Sequence, residues 1–121
     1  METKATEITT RELRQKIQNN EDFILINTLS HESFCAHHIP GSINIPENKL
    51  QELAELVLPD KDQKVIVYCK NATCHASDRA AETLANLGYK HVTHYAGGLE
   101  GWKEDGFELI ESGEEAVNEK C

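Results

Sequence analysis

The amino-acid sequence predicts an α/β protein with a central parallel sheet of about five strands and helices on both faces. Segments with apolar residues at helical spacing alternate along the chain with short apolar, β-branched runs, which is typical of parallel sheets. The runs at 23–26 and 65–68 are apolar at successive positions, as expected for strands covered on both faces. The 121 residues suit a single domain.

The first half of the chain contains the start signals of two helices. Thr9 and Glu12 have the spacing of a capping box, and they predict a helix that runs to about residue 19. A short helical turn is expected at 31–36, followed by a strand at 42–45. Pro46 suits the first turn of the next helix. The apolar residues predicted to share one face of that helix are Leu50, Leu53, Ala54, Val57 and Leu58.

The second half of the chain predicts two further helices and two further strands. The strand at 65–68 is followed by a helix at about 77–87, after which Gly88 suits a left-handed C-cap. The alternating segment at 91–95 predicts a strand. The last helix begins after two glycines, and its apolar residues Leu99 and Trp102 are expected to face inward.

The composition excludes several classes of partner. The net charge is −9, with 21 acidic and 12 basic residues, and Lys and Arg form no cluster. This balance argues against a nucleic-acid or anionic-membrane partner. The chain has no apolar run of the roughly 20 residues that a membrane helix needs, and its N-terminus lacks the apolar stretch of a secretory signal. We therefore expect a soluble, cytoplasmic monomer with an acidic tail at 112–121.

The four cysteines are Cys35, Cys69, Cys74 and Cys121. Without an export signal, a disulfide framework is not expected. Cys69, Cys74 and the adjacent His75 do not have the spacing of a zinc half-site, and no second cysteine pair accompanies them. The sequence therefore predicts no metal site.

Cys69 has the position of a reactive cysteine. It directly follows the apolar strand at 65–68 and precedes a predicted helix, and ligands of parallel α/β sheets bind at this edge. A helix N-terminus presents unpaired N–H groups and partial positive charge, which lower the pKa of a nearby thiol. Cys69 is therefore the candidate nucleophile.

Four short motifs follow one another along the chain and together cover about 7–109. They are Phe-Ile-Leu-Ile-Asn at 23–27, His-Ile-Pro-Gly-Ser-Ile-Asn-Ile-Pro at 38–46, Val-Tyr-Cys at 67–69, and Leu-Gly-Tyr at 87–89 followed by Tyr-x-Gly-Gly-Leu-x-x-Trp at 95–102. In this order they resemble the single-domain rhodanese (sulfurtransferase) family. The resemblance implies that Cys69 accepts sulfane sulfur from a donor such as thiosulfate, a polysulfide or a persulfide. The resulting persulfide would pass its sulfur to cyanide, a thiol or an acceptor protein, with no metal or organic cofactor.

The chain departs from the family pattern at two places. Asn27 and Leu29 stand in the segment where the family usually has Asp and Arg. The loop after Cys69 is about two residues longer than in simple family members, with Ala72 near the glycine position and a second cysteine, Cys74. These features resemble a variant branch with a Cys-x4-Cys loop.

The resemblance assigns the active-site and substrate-binding loop to the residues that follow Cys69. Backbone N–H groups of this loop are expected to stabilise the thiolate and the anionic persulfide. Two basic side chains of the loop either place positive charge beside the sulfur and attract an anionic donor, or are simply exposed. The loop residues are Lys70, Asn71, Ala72, Thr73, Cys74, His75 and Ala76.

Three further residues are possible accessory groups. Arg79 lies in the first turn of the predicted helix and is a possible donor-binding group, and Asn27 replaces the family aspartate. His38 is interpreted mainly as a structural hydrogen-bonding residue of its turn. The histidines assigned to surface or strand positions are His31, His91 and His94.

The sequence leaves alternatives open for the second cysteine and for the function. Cys74 is a small loop residue, a disulfide partner of Cys69 in a thiol-redox protein, or the acceptor in a sulfur relay. A non-catalytic binding module is the alternative to an enzyme. A phosphatase or arsenate reductase on this scaffold is disfavoured, because position 75 is His rather than the arginine that binds an oxyanion.

Overall fold

The computed structural model describes residues 6–71 and 73–110. Ala72, Cys121 and the predicted acidic tail at 112–121 lie outside the described residues. The described chain forms five strands, five α-helices and one 3₁₀ turn at Glu47–Lys49. In chain order the strands and α-helices are β1 Thr6–Ile8, α1 Thr10–Gln18, β2 Ile24–Asn27, α2 His31–Ala36, β3 Ile43–Asn44, α3 Leu50–Val57, β4 Lys64–Tyr68, α4 Ala76–Asn86, β5 His91–Tyr95 and α5 Gly98–Glu104.

The five strands form one parallel sheet in the order β1-β5-β4-β2-β3. The predicted fold class is thereby confirmed. Strand β4 is the middle strand, so its carboxyl end is flanked by the ends of β2 and β5. The edge strand β1 is an element that the sequence analysis did not predict, since three residues are too few to show a period.

Two apolar clusters cover the two faces of the sheet. On one face Ile26, Val65 and Val67 pack against α3 and α4. On the other face Leu25 and Ile66 pack against α1 and α5, which include the buried Leu13, Leu99 and Trp102. Side chains alternate along β2 and β4, so each strand contributes to both clusters. Burying one such side chain stabilises the fold by about 1.5–3 kcal/mol.

The helix ends follow the sequence signals. Thr9 accepts the backbone N–H of Glu12 at 3.1 Å while the Glu12 carboxylate accepts the N–H of Thr9 at 2.9 Å, which completes the predicted capping box. Gly88 has φ +102°, as its predicted C-cap role requires. The prediction was wrong for Val57, the last residue of α3, which is 41% exposed, whereas Leu58 just beyond it is buried as predicted.

Candidate active site

Cys69 lies at the carboxyl end of the middle strand β4 and opens the loop that leads into α4. The residue is 2% exposed. Val67 and Cys69 are two residues apart, so their side chains point toward the same face, the one covered by α4. The structure thus places this cysteine where strand, loop and helix meet, as the sequence predicts.

The start of α5 fixes the backbone of Cys69 and Lys70. The N–H of Leu99 donates to the Cys69 carbonyl at 3.1 Å, and the N–H of Glu100 donates to the Lys70 carbonyl at 2.9 Å. Because a trans peptide points its C=O and N–H in opposite directions, a Cys69 carbonyl turned toward α5 turns the Lys70 N–H into the loop. Gly98, at φ +64°, allows this close approach.

The far side of the loop is closed by local hydrogen bonds. The Cys74 N–H donates to the Asn71 carbonyl at 3.1 Å. The Asn71 side-chain oxygen accepts the backbone N–H of Thr73 at 3.1 Å and its hydroxyl at 3.0 Å. These bonds hold Asn71, Thr73 and Cys74 close to one another on this side of the loop.

The thiol of Cys69 faces oxygen atoms. Its Sγ donates to the Cys74 carbonyl at 3.3 Å and lies 3.2 Å from the Ser77 hydroxyl. Burial raises the pKa of Cys69, and the hydrogen bond with the Cys74 thiol raises it further, although the Ser77 hydroxyl and N–H oppose this. The expectation of a lowered pKa at Cys69 is therefore wrong for this structure, because desolvation outweighs the donors of the helix start.

The loop amides favour the second cysteine instead. Burial alone would raise the pKa of Cys74, but hydrogen bonds from Cys69 and from the backbone N–H groups of Lys70 and Ala76 lower it below its usual range. The charge of Arg79 acts in the same direction. Cys74 is also more exposed than Cys69. Two of the loop N–H groups that were expected to stabilise Cys69 thus act on Cys74 instead.

We expect iodoacetamide to alkylate Cys74 faster than Cys69 at neutral pH, because the lowered pKa of Cys74 and the raised pKa of Cys69 give Cys74 the larger thiolate fraction. The rates are measured by digestion and mass spectrometry of the loop peptide over a pH series. The Cys69→Ser and Cys74→Ser variants identify which sulfur reacts. Faster alkylation of Cys69 in the parent protein would contradict this order.

The basic side chains near the loop are mostly paired. The His75 ring lies 3.1 Å from a carboxylate oxygen of Asp78. Arg79 donates to Glu47 through two nitrogens, at 2.8 and 3.0 Å, and this guanidinium lowers the pKa of Glu47. Lys70 is exposed. An anionic donor that approaches the loop would therefore contact Lys70 and two further basic side chains, His75 and Arg79, that carboxylates partly neutralise.

The remaining predicted accessory residues lie apart from the sulfurs and build the scaffold. Asn27 is fully buried, donates to the Tyr68 hydroxyl at 3.1 Å and accepts the N–H of Leu29 at 2.8 Å. His38 Nδ1 lies 2.9 Å from the Phe34 carbonyl oxygen, and the His38 ring stacks on the Phe34 ring. Both contacts are consistent with the structural role that the sequence suggested for His38. In the described part of the chain, no three His, Cys, Asp or Glu side chains are grouped closely enough to hold a metal ion.

Two residues beside Cys69 were missed by the sequence analysis. Ser77, fully buried in the first turn of α4, bonds to both Cys69 and His94. The assignment of His94 to a surface or strand position was incomplete, because it lies on β5 but is only 7% exposed. Its register partner on β4 is Val67, so His94 shares the face of Cys69. The sequence signal that could have revealed His94 is its position near the carboxyl end of β5, the strand next to β4.

Fold and site together define an α/β domain with a two-cysteine loop at the carboxyl edge of a parallel sheet. The sequence profile of the rhodanese-like domain matches residues 9–105, and the chain belongs to this family. Assignment to the Cys-x4-Cys branch stays a prediction. Among the helices in the described ranges, none combines the length and apolar character needed to cross a bilayer.

The relatives of this chain include proteins named as sulfurtransferases. Thiosulfate sulfurtransferase PspE of Escherichia coli is 40% identical over 68 residues, which are 56% of this chain and 62% of that protein. Thiosulfate sulfurtransferase GlpE of Coxiella burnetii is 30% identical over 88 residues, 73% of this chain and 78% of that protein. Adenylyltransferase and sulfurtransferase UBA4 of Candida albicans is 34% identical over 74% of this chain, a match that spans only 21% of that protein.

Solved structures agree with the fold. The BH2092 protein of Bacillus halodurans superimposes with a TM-score of 0.82 at 29% identity, covering 89% of this chain and 78% of that one. The human single-domain sulfurtransferase TSTD1 gives a TM-score of 0.72 at 25% identity, covering 83% of this chain and 96% of that one. Sulfur transfer is therefore the class of chemistry that the family supports.

Proposed function

We propose that this protein is a sulfurtransferase that carries sulfane sulfur as a persulfide on Cys69 and passes it to a thiol, cyanide or an acceptor protein. The observation that carries the proposal is the position of Cys69 at the carboxyl end of the middle strand, held by the start of α5 and facing the start of α4. Family membership and the names of the relatives support the same chemistry.

The reaction needs no external oxidant. The Cys69 thiolate attacks the outer sulfur of the donor, a new S–S bond forms, and the donor S–S bond breaks with the electron pair leaving on a thiolate or sulfite. An acceptor nucleophile then attacks the outer sulfur of the persulfide, and Cys69 leaves as a thiolate. The backbone N–H groups of Lys70 and Ala76 beside Cys74 supply donors for negative charge that develops in the loop.

The donor class follows from the charges around the loop. Because Arg79 is paired with Glu47 and His75 with Asp78, the loop offers little free positive charge for a dianion. A low-molecular-weight persulfide or polysulfide carries a single negative charge at its reacting end, whereas thiosulfate concentrates two on a compact ion, so the persulfide or polysulfide fits this surface better. We therefore expect slower loading from thiosulfate than from glutathione persulfide at equal concentration.

The Cys69→Ser variant is expected to lose the sulfur adduct, because Cys69 is the thiol at the carboxyl end of the middle strand, where the transferred sulfur is proposed to be held. The reduced protein is incubated with glutathione persulfide, polysulfide or thiosulfate, and an intact mass shows a gain of one sulfur atom. Cyanide should remove that sulfur as thiocyanate. The matched Cys74→Ser variant keeps the adduct, with an altered rate of loading.

Two outcomes would overturn the assignment. No adduct with any donor favours a non-catalytic binding module. An adduct that survives Cys69→Ser but disappears with Cys74→Ser moves the nucleophile to Cys74, the sulfur with the lower pKa.

A thiol-redox function is the second candidate, because Cys74 is a second free thiol in the same loop and its carbonyl lies 3.3 Å from the Cys69 Sγ. A loss of two hydrogens on mild oxidation, absent in each single serine variant, would support it.

A further inference from the structure

A buried line of polar side chains connects Cys69 to a carboxylate at the surface. The Cys69 Sγ lies 3.2 Å from the Ser77 hydroxyl, and that hydroxyl lies 2.7 Å from His94 Nε2. On the other side of the ring, His94 Nδ1 lies 3.2 Å from a carboxylate oxygen of Asp78. Ser77 is fully buried and His94 is 7% exposed, whereas the Asp78 side chain is 51% exposed.

The carboxylate sets the direction of every hydrogen bond in this line. An ionised Asp78 only accepts, so the proton of a neutral His94 ring is on Nδ1 and Nε2 is left as an acceptor. The Ser77 O–H then donates to Nε2, and the Ser77 oxygen has free lone pairs toward the Cys69 thiol. The thiol has an alternative acceptor in the Cys74 carbonyl at 3.3 Å, so its proton is shared between two oxygens.

We propose that Ser77 and His94 form a proton relay that removes the thiol proton from Cys69 as this sulfur becomes a nucleophile. The proposal rests on the sulfur-transfer function proposed above, and it adds a positioning residue, His94, that acts through Ser77. The relay adds to the donors of Ser77, because the Lys70 and Ala76 amides of the loop act on Cys74 and burial opposes ionisation of Cys69.

The proton movements balance without any co-reactant. The Cys69 S–H proton passes to Ser77 Oγ while the Ser77 hydroxyl proton passes to His94 Nε2, which leaves a thiolate and an imidazolium. Asp78 keeps its negative charge and accepts the Nδ1–H bond throughout. When an acceptor takes the outer sulfur, the Cys69 thiolate regains its proton by the reverse path. In the ionised state Ser77 donates to the sulfur, which stabilises the thiolate.

The charged groups that face the His94 ring are both acidic. From α4, Asp78 contacts Nδ1, and its second oxygen is bonded to His75 at 3.1 Å. From β1, a carboxylate oxygen of Glu7 lies 3.8 Å from Nδ1. On β4 the register partner of His94 is the uncharged Val67. The carboxylates of Asp78 and Glu7 therefore lie close enough to balance the positive charge that the relay creates on the His94 ring.

The test measures Cys69 reactivity against pH in a Cys74→Ser background, with His94→Gln added. Glutamine retains an oxygen that accepts from Ser77 but takes no proton. Two rates are followed by mass spectrometry of the loop peptide: persulfide formation from glutathione persulfide, and alkylation by iodoacetamide. We expect His94→Gln to lower both rates on the order of 10²-fold at neutral pH. The rates should converge with those of the background at high pH, where the thiol ionises to water.

Two further variants separate a relay from a purely structural role. Ser77→Ala removes the hydroxyl between Cys69 and His94 while leaving His94 in place. It should shift the pH profile of the Cys69 rates in the same way as His94→Gln. His91→Gln changes an exposed histidine of the same strand and should leave the profile unchanged. Thermal unfolding of each variant shows whether it is folded at the assay temperature.

The outcomes are distinct from those of the proposed function. A pH profile unchanged in both His94→Gln and Ser77→Ala, or rates lowered equally at every pH, would overturn the relay. Alkylation reads proton removal from Cys69 alone, so it tests the relay even in a protein that forms no persulfide. Conversely, an adduct that forms normally without the pH shift would leave sulfur transfer intact and refute only the relay.

Discussion

Gly98→Ala is expected to destabilise the fold by about 2–5 kcal/mol. A side chain at the left-handed φ of +64° costs about 1–2 kcal/mol. The added Cβ would also lie 2.6 Å from the Cys69 carbonyl oxygen and 2.7 Å from the Lys70 carbonyl, both of which are backbone atoms with little freedom to move. Such overpacking costs about 1–3 kcal/mol more. Thermal or urea unfolding followed by circular dichroism measures the loss, at about 4–8 °C per kcal/mol.

Gly106→Ala is the matched control for the backbone cost. Gly106 has φ +89°, but a Cβ there would meet no atom within 4 Å. This variant should therefore show only the cost of the left-handed conformation, about 1–2 kcal/mol. The difference between the two variants isolates the clash with the active-site loop. Equal losses of stability in Gly98→Ala and Gly106→Ala would show that the loop moves away from the added Cβ at no cost in free energy.

Gly98 also links the stability of the fold to the reactivity of the loop. The start of α5 holds the carbonyls of Cys69 and Lys70, and this orientation turns the Lys70 N–H toward Cys74. A displaced loop would weaken that amide contact. Gly98→Ala should thus slow alkylation of Cys74 as well as lower stability, whereas Gly106→Ala should leave this alkylation rate unchanged.

The elements that the sequence predicts well are those whose pattern is local. Successive apolar residues at 65–68 identify a strand covered on both faces, and the Thr9 capping box fixes a helix start to the residue. The position of Cys69 follows from these local patterns, because a residue after a central strand must lie at the carboxyl edge. Strand β1 was missed because its three residues become a strand only by pairing with β5.

The ionisation of the two cysteines depends on contacts that no local pattern contains. A cysteine before a helix is expected to have a lowered pKa, but the balance at Cys69 is decided by burial and by a second thiol. The direction of the Lys70 amide is set by α5, about thirty residues further along the chain. The role of His94 requires the register of β4 and β5, which relates residues far apart in the sequence.

Tyr68→Phe is expected to cost about 2–6 kcal/mol of folding free energy, although it removes only one oxygen atom. The Tyr68 hydroxyl is fully buried and accepts the N–H of Ile39 at 3.0 Å and the amide of Asn27 at 3.1 Å. Ser42 donates to the Ile39 carbonyl at 2.7 Å, so Tyr68 itself donates to Ser42 at 2.9 Å. Phenylalanine leaves two buried donors without a partner, at about 1–3 kcal/mol each. Urea unfolding measures the loss.

Tyr95→Phe provides the comparison that separates this network from the loss of any tyrosine hydroxyl. The Tyr95 hydroxyl contacts the Thr10 hydroxyl at 2.6 Å, and Thr10 is partly exposed, so water can replace that bond at a cost of about 1 kcal/mol. Tyr68 points to the sheet face opposite Cys69, since adjacent strand residues alternate. Below its unfolding temperature, Tyr68→Phe should therefore form the same sulfur adduct as the parent. A Tyr68→Phe loss no larger than that of Tyr95→Phe would mean that the Asn27 and Ile39 donors find other partners, and Asn27 would then not anchor the end of β2.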